Sequence, residues 1–512
     1  MSPTASATDR NSGVLVAFAA VVLAMLPGVL DQTMLATGLP VIAADLGRVS
    51  DVSWVVSAYV VAAAAATPLW GKLGDRLGRK RMLEIALVVF VAASALCGTA
   101  QDITQLIVLR VVQGISAGGL MSLAMATVGD LVSPRERGRY QGYIAATFDV
   151  ATIVGPLLGG ALVQGAGWRW VFFVNLPVGI VALAGLRLRL PAAPVQPPAH
   201  RLDTVGAALL AAATSTLLLA CIQSDGRVEL IAATVVLSGA LVVQERRAAD
   251  PIVPLALLRT RTVALVSVAL FLATASLFAV TVFVPLFLQV TTGATPTEAG
   301  LLLVPAMLGI TVSTTLSGRA IARTGRYKRF PVAGLALMTA ALAGLAAVSG
   351  DPSRMRTGIA LVVFGLGFGM VTQVLVTAIQ NTVERRELGV ATATAGFFRA
   401  LGGAVGAAIL GAVFAASAGA SATEGDRSGL AGVLPTDVID GVQAVFLVAA
   451  PLAALGLLAV LALREVPLAA TPGAAPASAP ASASREREPE RDHERAVGSP
   501  AARAERTSGA TG

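Results

Sequence analysis

The chain has 512 residues, of which 55% are hydrophobic and only 13% charged, and its mean hydropathy is +0.77. Soluble domains carry about 25% charged residues, and apolar runs of about 20 residues are long enough to cross a bilayer as helices, so a water-soluble fold is excluded. The net charge of +8 would suggest nucleic acid in a soluble chain. Here the bases sit in short loops between apolar runs, no basic patch is interleaved with aromatics, and a positive-inside topology accounts for them.

A short polar N-terminus, residues 1–12, leads into apolar runs near 13–38, 52–70, 82–99, 104–127, 139–163 and 170–190. Two more lie near 204–222 and 228–244, and six follow near 262–289, 297–317, 331–349, 357–380, 391–417 and 441–463. The first run is too long for the core of a signal peptide. The pattern predicts an all-α transmembrane protein of about fourteen spans. Alternate loops are rich in bases: Lys72, Arg76, Arg79, Lys80 and Arg81; Arg135, Arg137 and Arg139; Arg187, Arg189 and Arg201; Arg246, Arg247, Arg259 and Arg261; Arg319, Arg323, Arg326, Lys328 and Arg329; Arg385 and Arg386. The loops between them hold scattered bases such as Arg48, Arg169 and Arg227. The basic set is assigned to the cytoplasm, which places both termini inside. Residues 466–512 are Ala/Pro/Ser-rich and then Arg/Glu-rich, a composition that buries no core and is expected to be disordered. Cys97 and Cys221 fall within apolar runs and read as small buried hydrophobes. His200 and His493 offer no metal-ligand spacing, and no cofactor is expected.

Gly71-Lys-Leu-Gly-Asp75-Arg76-Leu-Gly78-Arg79 and Gly318-Arg-Ala-Ile-Ala322-Arg323-Thr-Gly325-Arg326 share Gly, Arg, Gly and Arg at the same spacing. The first joins spans two and three, the second spans ten and eleven. Two six-helix halves, 13–190 and 262–465, with two helices inserted in the linker 191–261, explain the offset. Parallel repeats of this kind are a transporter architecture, with the substrate path between the halves. In the first loop Asp75 is an acid among bases, able to meet Arg76, Arg79 or a helix N-terminus of the other half. Such a contact would exist in one arrangement of the halves only.

The loop Gly71-x-x-x-Asp75-Arg76-x-Gly78-Arg79-Lys80 resembles the signature of the major facilitator superfamily. Leu30-Asp31-Gln-Thr33-Met-Leu-Ala-Thr-Gly-Leu39-Pro40 resembles the first-span motif of its fourteen-span drug–proton antiporters, the EmrB/QacA subfamily. Leu109-Arg110-Val-Val-Gln113-Gly114 is similar to the fourth-span motif, Gly155-Pro156-Leu-Leu-Gly159-Gly160 to the fifth-span antiporter motif, and Trp168-Arg-Trp170 through Asn175-Leu-Pro177-Val-Gly179 to the entry of the sixth span. The resemblance covers the chain to about residue 465 and implies the major facilitator fold, proton coupling through Arg110, a structural or coupling role for Asp31, and gating by Gly71, Asp75, Arg76, Gly78 and Arg79. The second loop departs from the first in lacking its acid, since Ala322 stands there.

Charges inside spans are expensive and should face a cavity or a partner. Asp31 is about 25 Å along an outward-running helix and Arg110 about 9 Å along an inward-running one, similar depths at which the two are able to pair, for coupling or as a static ion pair. Asp149 is about 15 Å into the fifth span, near the midplane where transporter sites lie; it reads as the main proton or cation site, or as a capped structural acid. Gly155, Pro156, Gly159 and Gly160 provide a bend that seals the path, close helix packing, or both. Gln113, Gln289 and Gln373 with Phe283 and Phe287 suit an apolar, aromatic substrate path with few polar groups, though such Phe side chains also face lipid. Arg399, before Gly402, Gly403 and Gly406, is either functional or snorkels. Gly365-Leu-Gly367-Phe-Gly369 mimics a dinucleotide loop but has no strand before it, and no phosphate-binding lysine loop is present, so no nucleotide is expected.

These features predict a transporter rather than an enzyme: an alternating-access exporter of amphipathic compounds, cationic ones among them, in exchange for protons. It would be a multi-pass protein of a bacterial plasma (inner) membrane, whose partners are its small-molecule substrate, protons and the lipid bilayer. A dedicated exporter of an endogenous metabolite fits the same residues.

Overall fold

The computed structural model describes residues 7–46, 49–132, 134–191, 203–222, 226–252, 255–292, 303–348, 353–384, 387–417 and 435–465. The predicted tail and the side chain of Asp149 lie outside the described residues. In lipid, backbone amides and carbonyls must be satisfied within the segment, which helices do, and no strand occurs among the described residues. The first set of helices is α1 (Ala7–Leu46), α2 (Val49–Leu77), α3 (Arg79–Gly98), α4 (Ile103–Leu131), α5 (Pro134–Gly165), the short α6 (Trp170–Phe173) and α7 (Asn175–Arg189). Then come α8 (Thr204–Ile222), α9 (Arg227–Arg247) and the short α10 (Leu255–Arg259). The last set is α11 (Arg261–Phe278), a π-helical turn (Ala279–Phe283), α12 (Val284–Thr292), α13 (Val304–Thr324), α14 (Arg329–Val348), α15 (Arg354–Thr382), α16 (Leu388–Ser417) and α17 (Pro435–Leu461).

Among the described residues thirteen helices or helical segments are long and apolar enough to cross a membrane, and the 21-residue α13 stands at the position of the tenth expected span. Hydropathy marks where a helix meets lipid, not where its hydrogen bonds end. Accordingly α1 runs over residues 7–46 rather than 13–38, and α2 continues through the basic residues to Leu77. The ninth span carries a π-turn within it, and the sixth is split around Val174; neither has a hydropathy signal.

The loop repeat is reflected in the packing. In the first set α2 packs on α4, α3 on α4, α1 on α5 and α7, and α3 on α7. In the last set α13 packs on α15, α14 on α15, α11 on α16 and α17, and α14 on α17, the same scheme helix for helix. Across the two sets α2 meets α16 and α5 meets α13, contacts that exchange when the repeats are swapped. The inserted α8 and α9 pack on each other, with α8 leaning on both α2 and α16.

Glycines set the close approaches. A Cβ on Gly114 or Gly118 of α4 would strike the α2 backbone at Tyr59 or Ala63. On α15 the same holds for Gly365 and Gly369 against Ala306 and Ile310 of α13. Both pairs have the small-xxx-small spacing that lets membrane helices touch, which accounts for the dinucleotide-like glycines of α15. Gly78 and Gly325, equivalent in the repeat, both take positive φ (94° and 69°), a conformation that favours glycine; each turns the chain sharply into the next helix.

Candidate functional site

Two polar assemblies stand out against this apolar packing. The first is buried among α1, α2, α3, α4 and α7. Asp31 and Arg110, 0% and 1% exposed, form an ion pair at 2.5 Å. The Arg110 guanidinium also donates from Nη1 to Gln113 Oε1 (2.7 Å) and from Nε to the Val55 carbonyl (3.1 Å), and lies 4.1 Å over the Tyr59 ring. Gln113 Nε2 donates to Asp31 Oδ1 (3.0 Å) and Ser94 Oγ (3.2 Å). Asn175 Nδ2 donates to Ser94 Oγ (2.9 Å) and Asp31 Oδ1 (3.3 Å), and the Ser94 hydroxyl donates to the Phe172 carbonyl (3.0 Å). Taking two ions out of water costs several kcal/mol each, and only near-complete hydrogen bonding offsets that cost. Five helices are thus tied through one carboxylate, one guanidinium and the amides of Gln113 and Asn175, which bring in Ser94 of α3. Cys97, fully buried and free, approaches Gln113 Oε1 at 3.6 Å.

The second assembly lies where α2 ends and α3 begins, on either side of Gly78. Asp75 accepts the backbone N–H groups of Gly389 (2.9 Å) and Val390 (2.8 Å), in the first turn of α16. Arg79 donates to the same carboxylate from Nη2 (2.6 Å) and Nε (3.2 Å) and also bonds Asp130. The first N–H groups of a helix lack intrahelical acceptors, and an anion there is stabilised by the helix dipole. Asp75 therefore caps a helix of the other set. Around it the two sets meet tightly: a Cβ on Gly71 would stand 2.6 Å from the Gly389 carbonyl oxygen, and Gln380 Nε2 reaches the Met125 carbonyl (3.4 Å) and Thr392 (3.0 Å). Gly71→Val should prevent this closure. The distance between spin labels on Leu77 and Glu384 is expected to lengthen by several ångströms, and an unchanged distribution would count against the close approach. Lys72 and Arg76 bond Asp250, so the segment following the inserted helices is fastened to the same loop.

The remaining sequence candidates fall elsewhere. Gly155 packs against Thr33, and Gly159 against Met34 and Thr37 of α1, while Gly160 has nothing near its Cβ position; α5 runs unbroken through Pro156. Gln113 lies inside the Asp31–Arg110 network, and Phe283 and Phe287 are buried in the core, with Phe283 5.3 Å from Phe414. Gln289 is half-buried on α12. Gln373 keeps its amide oxygen buried without a partner among the described residues. Ser94, Asn175, Asp130 and Asp250 were not read as site residues. Ser94 and Asn175 are polar residues within apolar runs, a signal that was available; Asp130 and Asp250 gave none, since their partners are remote in sequence. Outside the spans, hydrogen bonds from the Trp168 indole and the Arg169 guanidinium hold the Asp45 carboxyl below its usual range, fastening the end of α1 to the entry of α6.

A repeated helical bundle with a buried ion pair and a cap reaching between its two sets is that of a membrane transporter. The chain belongs to the Major Facilitator Superfamily, whose model matches residues 21–407. It is 36% identical over 493 residues to an uncharacterized MFS-type transporter of Mycobacterium tuberculosis (Rv1877), covering 91% of this chain and 71% of that one. It is 33% identical over 411 residues to the multidrug transporter protein MdtP of Bacillus subtilis, covering 78% and 75%. The human organic anion transporter MFSD10 shares the fold, with a TM-score of 0.60 at 19% identity over 88% of this chain and 99% of that one.

Proposed function

We propose that this transporter is a proton-coupled exporter of amphipathic compounds, one of the fourteen-span drug–proton antiporters, working by alternating access between halves 13–190 and 262–465. The single observation that carries the reading is the buried Asp31–Arg110–Gln113 network. Separating the pair leaves each ion with an uncompensated desolvation cost, and proton uptake by the carboxylate relieves one of them. A proton and a conformational change are then linked through one site. The multidrug name of the Bacillus subtilis relative supports export of drug-like compounds. The Asp75 cap supports gating, because it joins residues from both halves. In this reading the loop Gly71–Arg81 is cytoplasmic, the protein sits in a bacterial plasma membrane with both termini inside, and Asp149 exchanges a proton for substrate near the midplane.

Efflux of a lipophilic dye from cells, with and without a collapsed pH gradient, tests it. Wild type is expected to lose most of its export when the gradient is removed, and Asp149→Asn to lose at least about tenfold of its gradient-driven rate, as for loss of a positioned proton-transfer group. Gradient-independent export by the wild type would remove the antiport claim. Full activity of Asp149→Asn would remove only the role given to Asp149.

A further inference from the structure

Arg399 differs from Arg110, the arginine of the buried network. Arg110 has a carboxylate, an amide, a carbonyl and a ring as partners. Arg399 has no hydrogen bond, ion pair or ring contact among the described residues. It lies 11 residues into α16, about 17 Å from that helix's start and so near the middle of a hydrocarbon core about 30 Å thick. A guanidinium at that depth is costly unless it faces a cavity or a partner.

Its neighbours on the helix show where it points. Residues three and four apart share a helix face, and Arg399 falls between Gly396 and Gly403. A Cβ on Gly396 would stand 3.6 Å from Thr67 of α2, and one on Gly403 3.6 Å from Thr274 of α11. Arg399 is thus on the stripe turned toward the seam between the two halves, and it is half-buried there. The helix is held rigidly, because Gly402 and Gly406 seat it on the backbone at Phe271 and Ala275 of α11. In α11–α17 the described acids Glu384 and Glu387 precede α16, and Asp437 and Asp440 lie in the first turns of α17, so no acid among the described residues of the second half stands at this depth.

We infer that Arg399 is a substrate-binding residue that receives an anionic group, a carboxylate, sulfonate or phenolate, of the exported compound. This rests on the proposed transport reading and narrows its substrate class to acids and zwitterions. While the seam is open, water solvates the guanidinium. Closure expels water and strengthens every charge interaction inside, so an empty site resists closing and an anion-bearing substrate permits it. A purely cationic compound meets like charge at this point and gains nothing from it.

The test compares a naphthalene carboxylate, its carboxamide and the matching trimethylammonium compound, each titrated calorimetrically against the full-length protein in maltoside micelles. Wild type should bind the carboxylate at least about tenfold more tightly than the carboxamide, the factor a charge-assisted hydrogen-bonded pair gives. Arg399→Gln should bring that ratio to about one, Arg399→Lys should retain part of it, and the trimethylammonium compound should bind Arg399→Gln no less tightly than wild type. A wild-type ratio near one overturns the inference, as does a ratio that survives in Arg399→Gln. A folded Arg399→Lys variant keeps the comparison valid should Arg399→Gln fail to fold. Proton dependence is measured separately: a carboxylate preference without gradient-driven export defeats the antiport reading and retains the site, whereas gradient-driven export without the preference does the reverse.

Discussion

Asp31→Asn is expected to destabilise the folded protein by about 3–5 kcal/mol, the cost of leaving one buried ion without its partner. The variant should unfold at clearly lower temperature in detergent and lose proton-driven export. Both follow from one geometry. Arg110 would keep Gln113, the Val55 carbonyl and the Tyr59 face, but its charge would be uncompensated at 1% exposure. The contrast with the double variant Asp31→Asn/Arg110→Gln separates structure from coupling. Removing both charges removes the uncompensated ion, and the Asn and Gln amides can keep Gln113, Asn175 and the Val55 carbonyl as hydrogen-bond partners. The double variant should therefore recover most of the lost stability while export stays absent. If it recovered export as well, the pair would be a structural tie and the proton would travel elsewhere.

The global architecture was readable because the bilayer imposes it. Runs of apolar residues give spans, and the recurrence of Gly71, Arg76, Gly78 and Arg79 as Gly318, Arg323, Gly325 and Arg326 pointed to a repeat, which the matched packing of α1–α7 and α11–α17 reflects. Intramembrane charges such as Asp31 and Arg110 announce themselves by their cost. What was not readable depends on the third dimension. Gln113 looked like a residue of an open path, because sequence cannot say which face of α4 meets Asp31. The π-turn at Ala279–Phe283 leaves no trace in composition, since one extra residue per turn changes neither hydropathy nor length perceptibly. Asp130, in the last turn of α4, and Asp250, just beyond α9, sit at span ends where an acid is unremarkable, and only the fold brings them to Arg79 and to Lys72.

Asp75→Asn should slow turnover at least about tenfold while leaving substrate binding within about twofold. The carboxylate accepts two N–H groups of α16 and two bonds from Arg79. Loss of an N-terminal cap costs about 0.5–2 kcal/mol, and charge-assisted bonds lie at the upper end. A loss of about 2 kcal/mol felt in one arrangement only shifts the equilibrium between arrangements about thirtyfold. In the proposed orientation the cap closes the cytoplasmic side, so its loss favours the state that takes up substrate, and binding is not weakened; equal losses in turnover and binding would argue against the latch. The second loop has Ala322 and no acid, so the cap through Asp75 belongs to one seam. Asp75 meets Gly389 because α16 starts at Leu388, where N–H groups lack acceptors. Ala322 lies on α13, which meets α5 and not the start of α16, so Ala322→Asp should not restore turnover to Asp75→Asn. Restoration would show that the latch needs only a negative charge near the seam, not a helix end to cap.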